Sequence, residues 1–171
     1  MDLQPTLAGA LTVLRPTAAE DWEELYAVAS DPLIWELHPA RDRWQEPVFR
    51  KYFQDALASG GSLTIRERAT GQVIGASRYC FPDAARDEIE IGYTFLSRAC
   101  WGGRYNREIK QLMLDHILRD VGAAVFAVGA DNLRSRRAME KIGGVLQEGR
   151  HERGNGQWLA DHVFYRIARP A

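Results

Sequence analysis

The chain has 171 residues, 46% of them hydrophobic and 26% charged, with a formal net charge of −1. That length suits one domain with an ordinary buried core, and the composition excludes the disordered and collagen-like classes. A near-neutral balance argues against nucleic acid as the main partner, and no apolar run approaches the length of a membrane span. The opening Met1-Asp2-Leu3-Gln4-Pro5 lacks the basic-then-apolar pattern of a secretory signal, so a cytoplasmic protein is expected. Cys80 and Cys100 sit in apolar text without metal-ligand spacing and read as buried free thiols. The 4 histidines are scattered, and no metal site is expected.

Leu11 to Arg15 reads as a first strand, stopped by Pro16. Thr17-Ala18-Ala19-Glu20 matches a capping box and opens a helix with Trp22, Leu25, Tyr26 and Ala29 on one face. Asp31-Pro32 should end it, and Leu33 to Trp44 is irregular and rich in large side chains. A second helix follows Pro47, with Phe49, Tyr52, Phe53 and Leu57 as its buried stripe, and closes at Gly60-Gly61. Ser62 to Arg68 and Gln72 to Phe81 form a hairpin across Ala69-Thr70-Gly71.

From Glu88 the period becomes two: Ile89, Ile91, Tyr93 and Phe95 alternate with Glu88, Glu90, Gly92 and Thr94, as in a strand. After Trp101-Gly102-Gly103, residues Ile109, Leu112, Met113 and Ile117 fall on one helical face. A strand, a tight turn and a helix aim unpaired N–H groups and the positive end of the helix dipole at one spot. That favours an anionic group, typically phosphate, although an ordinary strand-to-helix connection reads the same way. Ala123 to Gly129 is a strand, and Asp131-Asn132 opens a helix that Gly143-Gly144 closes after Ile142. Val145 to His151 and Trp158 to Ile167 complete the chain as strands around Arg153-Gly154-Asn155-Gly156. The order is β-α-α-β-β-β-α-β-α-β-β, a single α/β domain with a mixed central sheet.

Two stretches carry a family resemblance. Trp101-Gly102-Gly103-Arg104-Tyr105-Asn106 is similar to a pyrophosphate loop of the form Trp-Gly-x-Gly-Tyr-small, with Arg104 at the second glycine and Asn106 at the small residue. Asn132 to Gly143 follows an Asn-x-x-Ser pattern ending in Glu-Lys-x-Gly. With Leu14-Arg15-Pro16, Asp31-Pro32 and the Thr-Gly-x-x-Ile-Gly of Thr70 to Gly75, the chain from about Leu7 to Ile167 resembles the GNAT superfamily of N-acetyltransferases. The closest likeness is to the branch of ribosomal-protein N-terminal alanine acetyltransferases. A GNAT domain over residues 7–168 is expected.

The resemblance implies transfer of an acetyl group from acetyl-CoA, without a metal, to a primary amine: a protein N-terminus or a small molecule. It assigns cofactor binding to Thr94, Phe95 and Leu96 on the strand that opens at Glu88, and to Trp101, Gly102, Gly103, Arg104, Tyr105 and Asn106 in the loop. Asn132 and Arg137 join them from the following helix, where Asn132 also reads as a plain N-cap. The amine must lose a proton before attack, so a carboxylate is needed. Glu90 is the first candidate, with Glu88 and Glu148 as alternatives, each also readable as a solvent-facing glutamate. A backbone N–H near Phe95 would stabilise the oxyanion, and Ser135 would protonate the thiolate, with Tyr105 and Tyr165 behind it. Trp35 and His38, in company with Arg41, Arg43 and Trp44, are the expected acceptor side. A catalytically silent CoA-binding module is the alternative reading, and a homodimer is a possible assembly.

Overall fold

In a computed structural model describing residues 1–171, eight strands form one sheet. They are β1 (Leu7–Ala8), β2 (Thr12–Pro16), β3 (Ser62–Glu67), β4 (Val73–Asp83), β5 (Glu88–Leu96), β6 (Ala123–Gly129), β7 (Val145–Gln147) and β8 (His162–Ala168). The spatial order is β1-β2-β3-β4-β5-β6-β8-β7, and every neighbouring pair is antiparallel except β5–β6. Four helices cover it: α1 (Trp22–Ala29), α2 (Glu46–Ser59), α3 (Arg104–Ile117) and α4 (Leu133–Lys141). The expected mixed α/β architecture is thus observed, with the two-residue β1 as an added edge strand. No helix is long and apolar enough to cross a membrane.

Two cores result, one on each face of the sheet. On one face α3 and α4 place Ile109, Met113, Ile117 and Met139 against Leu14, Leu63, Ile65, Ile89 and Ile91. On the other, α1 and α2 place Leu25, Ala29, Phe49, Tyr52 and Phe53 against Val73, Ala76 and Phe95. Leu57 does not belong to that second stripe: it is 38% exposed, and Ala56 at 2% takes the inward position. Phe49, Tyr52, Phe53 and Ala56 already fill the i, i+3, i+4, i+7 set, which leaves Leu57 at its margin.

Local chemistry shifts several boundaries. The capping box is displaced by one residue, because the Asp21 carboxylate, not that of Glu20, accepts the Ala18 N–H at 2.9 Å. Thr17 instead shares hydrogen bonds with Ser62 and Thr64 between β2 and β3. The two last strands are shorter than their apolar text, since β7 stops at Gln147 and β8 starts at His162. Gly149 and Gly156 take φ of +73° and +83°, so residues 148–161 form a loop whose two arms meet at the bridge Glu152–Trp158. Both cysteines are free and buried, and burial pushes both thiols up from their ordinary range.

The feature that positions the site is a bulge in β5. Between the pairs Arg78–Gly92 and Ala76–Phe95, β5 advances three residues while β4 advances two. Tyr93 absorbs the extra residue with φ +53°. A one-residue slip exchanges the faces of a strand. Ile89 and Ile91 therefore face α3, whereas Phe95 lies among α1 and α2, and the single alternating face expected through Phe95 is broken in two. The parallel pairing of β5 with β6 covers only Glu88–Ala123, Ile89–Ala124 and Glu90–Val125. Beyond those pairs the two strands part.

Candidate active site

The parting of β5 and β6 opens a cavity of about 670 Å³ that passes from one face of the sheet to the other. Its walls on the α3–α4 side include Asn106, Arg107, Lys110, Asn132, Ser135 and Arg137. On the opposite side it meets Trp35, His38 and Tyr93. Thr94, Phe95 and Leu96 from β5, and Phe126 to Gly129 from β6, form its flanks.

The loop before α3 contributes Trp101, Gly102 and Gly103 to this lining. Gly102 and Gly103 take φ of +114° and +101°, and a Cβ at either would meet nothing within 4 Å. Their main chain is open, and only glycine adopts those angles without strain. The first turn of α3 has no side-chain cap and no acidic residue, and it carries Arg104 and Arg107. Two cations on the positive end of a helix are unfavourable until an anion joins them. Arg104 is exposed and lies outside the cavity lining. Tyr105 also lies outside it, its hydroxyl donating to Glu67. Trp101 donates from Nε1 to the Leu96 carbonyl at 3.1 Å, and the Arg134 guanidinium lies 3.8 Å from its ring centroid.

Across the cavity, Asn132 is buried and caps α4 by accepting the Ser135 N–H at 3.3 Å. The cap does not exclude a ligand role, since Asn132 and Ser135 both line the cavity. Pro39 crosses the end of β6 so closely that a Cβ on Gly129 would come within 2.7 Å of its ring. This crossing carries the irregular segment before α2 over the cavity. It sets Trp35, whose Nε1 donates to the Ala29 carbonyl at 2.8 Å, edge-on to His38. His38 accepts the Ala40 N–H on Nδ1 at 2.9 Å. Burial, with Arg43 next in weight, lowers its pKa to about 3. At neutral pH it is the Nε2–H tautomer, a donor into the cavity and a poor base.

Glu90 is 1% exposed and stands behind the cavity wall, not in it. Arg153 approaches to 3.1 Å, yet neither carboxylate oxygen has a hydrogen-bond donor. Burial raises its pKa, and the Arg153 charge offsets part of that rise. A Cβ on Gly92 would meet Glu90 Oε1 at 3.2 Å. The carboxylate thus lies against Gly92, which does line the cavity. Glu88 is held from both sides by Arg150 at 2.8 Å and Arg166 at 2.7 Å. Glu148 is outside the lining, and Tyr165 is buried with its hydroxyl between Arg136 and Glu140.

Lys110 is the lining residue that the sequence reading passed over. It is 3% exposed, donates to Thr94 Oγ1 at 2.6 Å and has no carboxylate partner. Burial lowers its pKa to about 7. Its position with Leu114 and Ile117 on one apolar helical face was a signal available from spacing.

With this geometry in view, the likenesses to known proteins are informative. No curated protein sequence matches the chain. Among solved structures, a GCN5-related N-acetyltransferase from Brucella melitensis superposes with a TM-score of 0.79 at 18% identity, over 97% of this chain and 79% of its own. A GNAT-family acetyltransferase from Bacillus anthracis gives 0.74 at 18%, over 96% and 99%. The microcin C7 self-immunity acetyltransferase MccE, solved with acetyl-CoA and AMP, gives 0.72 at 17%, over 98% of both chains. At these identities the superpositions speak for the fold alone. The family model for the acetyltransferase (GNAT) domain matches residues 12–145, most of the chain, and the protein belongs to the GNAT acetyltransferases.

Proposed function

We infer that the protein transfers an acetyl group from acetyl-CoA to a primary amine by direct attack on the thioester. The observation that carries this reading is the parting of β5 from β6 after Glu90 and Val125, over a cavity that reaches the uncapped end of α3. The residues present fit the cofactor. The open main chain at Gly102 and Gly103, with the first-turn N–H groups of Arg104 to Asn106, suits a pyrophosphate. The exposed course of Arg104 leaves that main chain clear. The free edge from Thr94 to Leu96 offers backbone groups to the amides of the pantetheine arm, and Asn132 and Arg137 approach from α4.

Acetyl-CoA, when bound, supplies an acetyl group activated on sulfur. Glu90 takes the proton of the incoming ammonium through a water at Gly92, its raised pKa matching that task. A main-chain N–H near Phe95 would stabilise negative charge on the acetyl oxygen, and the Ser135 hydroxyl would supply a proton to the CoA thiolate, since both residues line the cavity. Trp35 and His38 shape the acceptor end, His38 as a donor. The ribosomal-protein branch remains the closest motif likeness, and residues 7–168 are taken as the catalytic unit.

One observation favours the second reading, a CoA-binding module without turnover: Glu90 stands behind the wall of the cavity and in contact with Arg153. Calorimetric titration of acetyl-CoA into the wild type and Arg104→Gly, followed by an amine panel with thiol detection, separates the two. Binding with CoA release supports the enzyme. Binding without release on any amine leaves the module, and no binding to either protein removes both.

A further inference from the structure

On the acceptor side of the β5 bulge, three guanidinium groups gather round two phenol rings. Arg43 lies 5.1 Å from the Tyr52 ring centroid and 5.2 Å from that of Trp35. Arg78 lies 5.3 Å from Tyr52 and 4.2 Å from Tyr93. Arg153 lies 5.4 Å from Tyr93 and 4.9 Å from Phe81. Glu90, against Arg153, is the only carboxylate that any of the three meets within 4.0 Å. Arg78 is 5% exposed; it donates to the Tyr52 carbonyl at 3.3 Å, and its Nε is buried without an acceptor. Arg153 donates to Tyr93 Oη at 3.2 Å and to Gln157, and its Nε is likewise without an acceptor. The Arg43 guanidinium makes no hydrogen bond to the protein, and its neighbour Asp42 is exposed and unpaired with it.

Like charges at such close quarters repel, and half-buried guanidinium groups lose hydration that ring faces replace only in part. Three cations sharing one anion are a poor source of stability. The arrangement makes physical sense when a further anion completes it. None of the three guanidinium groups lines the cavity, but Trp35, Tyr93 and His38 do, and Arg43 lies over the first of them, so the place left for that anion adjoins the path of the acceptor.

We propose that the acceptor amine carries an anionic group, a carboxylate or a phosphate, which Arg43 grips beside the cavity, next to Trp35, while Arg78 and Arg153 supply the field behind it. The planar fork of arginine suits either oxyanion. This deepens the reading of the site as an amine acetyltransferase and rests on it, but the anion site is measurable without turnover.

The test uses the whole protein and the half-buried Arg43, whose replacement orphans no carboxylate. Inorganic phosphate and acetate are titrated by thermal shift against chloride of equal ionic strength, in protein saturated with CoA. At least one anion should raise the melting temperature, with affinity falling at least tenfold in Arg43→Gln and little changed in Arg119→Gln, an exposed arginine outside the cavity lining. L-phenylalanine is then compared with its amide, and O-phosphoethanolamine with ethanolamine, as acetyl acceptors. The charged member of a turned-over pair should have the higher kcat/KM by tenfold or more, the margin vanishing in Arg43→Gln. Which pair shows it distinguishes carboxylate from phosphate. Absence of anion binding, binding unchanged in Arg43→Gln, or preference for the neutral partners would overturn the proposal. Should CoA fail to bind, the acetyltransferase reading falls, and the anion titration on free protein still decides this one.

Discussion

On its α3 side the sheet buries Ile89, Ile91, Ile109, Met113 and Ile117, and the charge among them is the single ammonium of Lys110. On the other side, the same strand turns Glu88 and Glu90 toward Arg150, Arg153 and Arg166, with Arg78 alongside. The dry face does what cores do, converting apolar area into stability at about 25 cal/mol per Å². The charged face contributes little on that scale, because desolvation of ion pairs cancels much of their attraction. What it offers is a carboxylate of raised pKa and a field of guanidinium groups next to the cavity. The contrast is one of side chains along a single strand: β5 turns Ile89 and Ile91 to the dry face, and Glu88 and Glu90, with their arginines, to the other.

Four substitutions test the division, in descending size. Glu90→Gln should lower kcat by about 10²-fold to 10⁴-fold, the range of general-base catalysis, while calorimetry finds acetyl-CoA binding unchanged. Activity surviving that change would move the base elsewhere. Ile109→Ala, on the dry face, should cost about 2–5 kcal/mol in denaturant unfolding. A loss below ~1 kcal/mol would show that α3 is not the stabilising layer.

Lys110→Met should have the opposite sign. With its pKa lowered to about 7 in the fold against 10.5 when free, the folded chain releases the proton before the unfolded chain does. Its burial therefore costs most below pH 7, and the cost disappears as pH rises toward 10.5. The variant should gain on the order of several kcal/mol at pH 6 and almost nothing at pH 10, read as melting temperature against pH. A pH-independent gain would mean that the lysine keeps its free pKa of 10.5 in the fold. His38→Asn has the smallest expected effect. In the wild type, stability should fall as pH drops from 6.5 toward 3, where the unfolded chain takes up a proton that the buried ring refuses. The variant should flatten that slope, a difference of up to a few kcal/mol at pH 4. Identical acid profiles would place the ring in water.

Much of the fold could be read from local pattern. The 3.6-residue stripes of α2 and α3 and the glycine stops at Gly60 and Gly143 are short-range signals, and the elements formed where those signals lay. The lining residues Gly102, Gly103 and Asn132 were legible for the same reason, since loop and cap chemistry is written in consecutive residues. The rest depended on contacts between distant parts of the chain. Whether Glu90 faces water or Arg153 is decided by a loop that follows β7, and nothing near Glu90 announces it. The phase of Phe95 hinges on the bulge at Tyr93, a tyrosine in a conformation usually left to glycine or asparagine. Lys110 was overlooked for a different reason: a lysine reads as surface unless the helical wheel is drawn around it.

The bulge at Tyr93 has a bearing on how the molecule comes apart. Because the phase of β5 changes there, Ile91 belongs to one hydrophobic cluster and Phe95 to the other, within a few residues of continuous backbone. Neither cluster can lose its grip on this strand without loosening the other. Two layers that touch different helices and share no side chains are thus bound into one cooperative unit, and amide protons on α2 and α3 should exchange with a common free energy of opening.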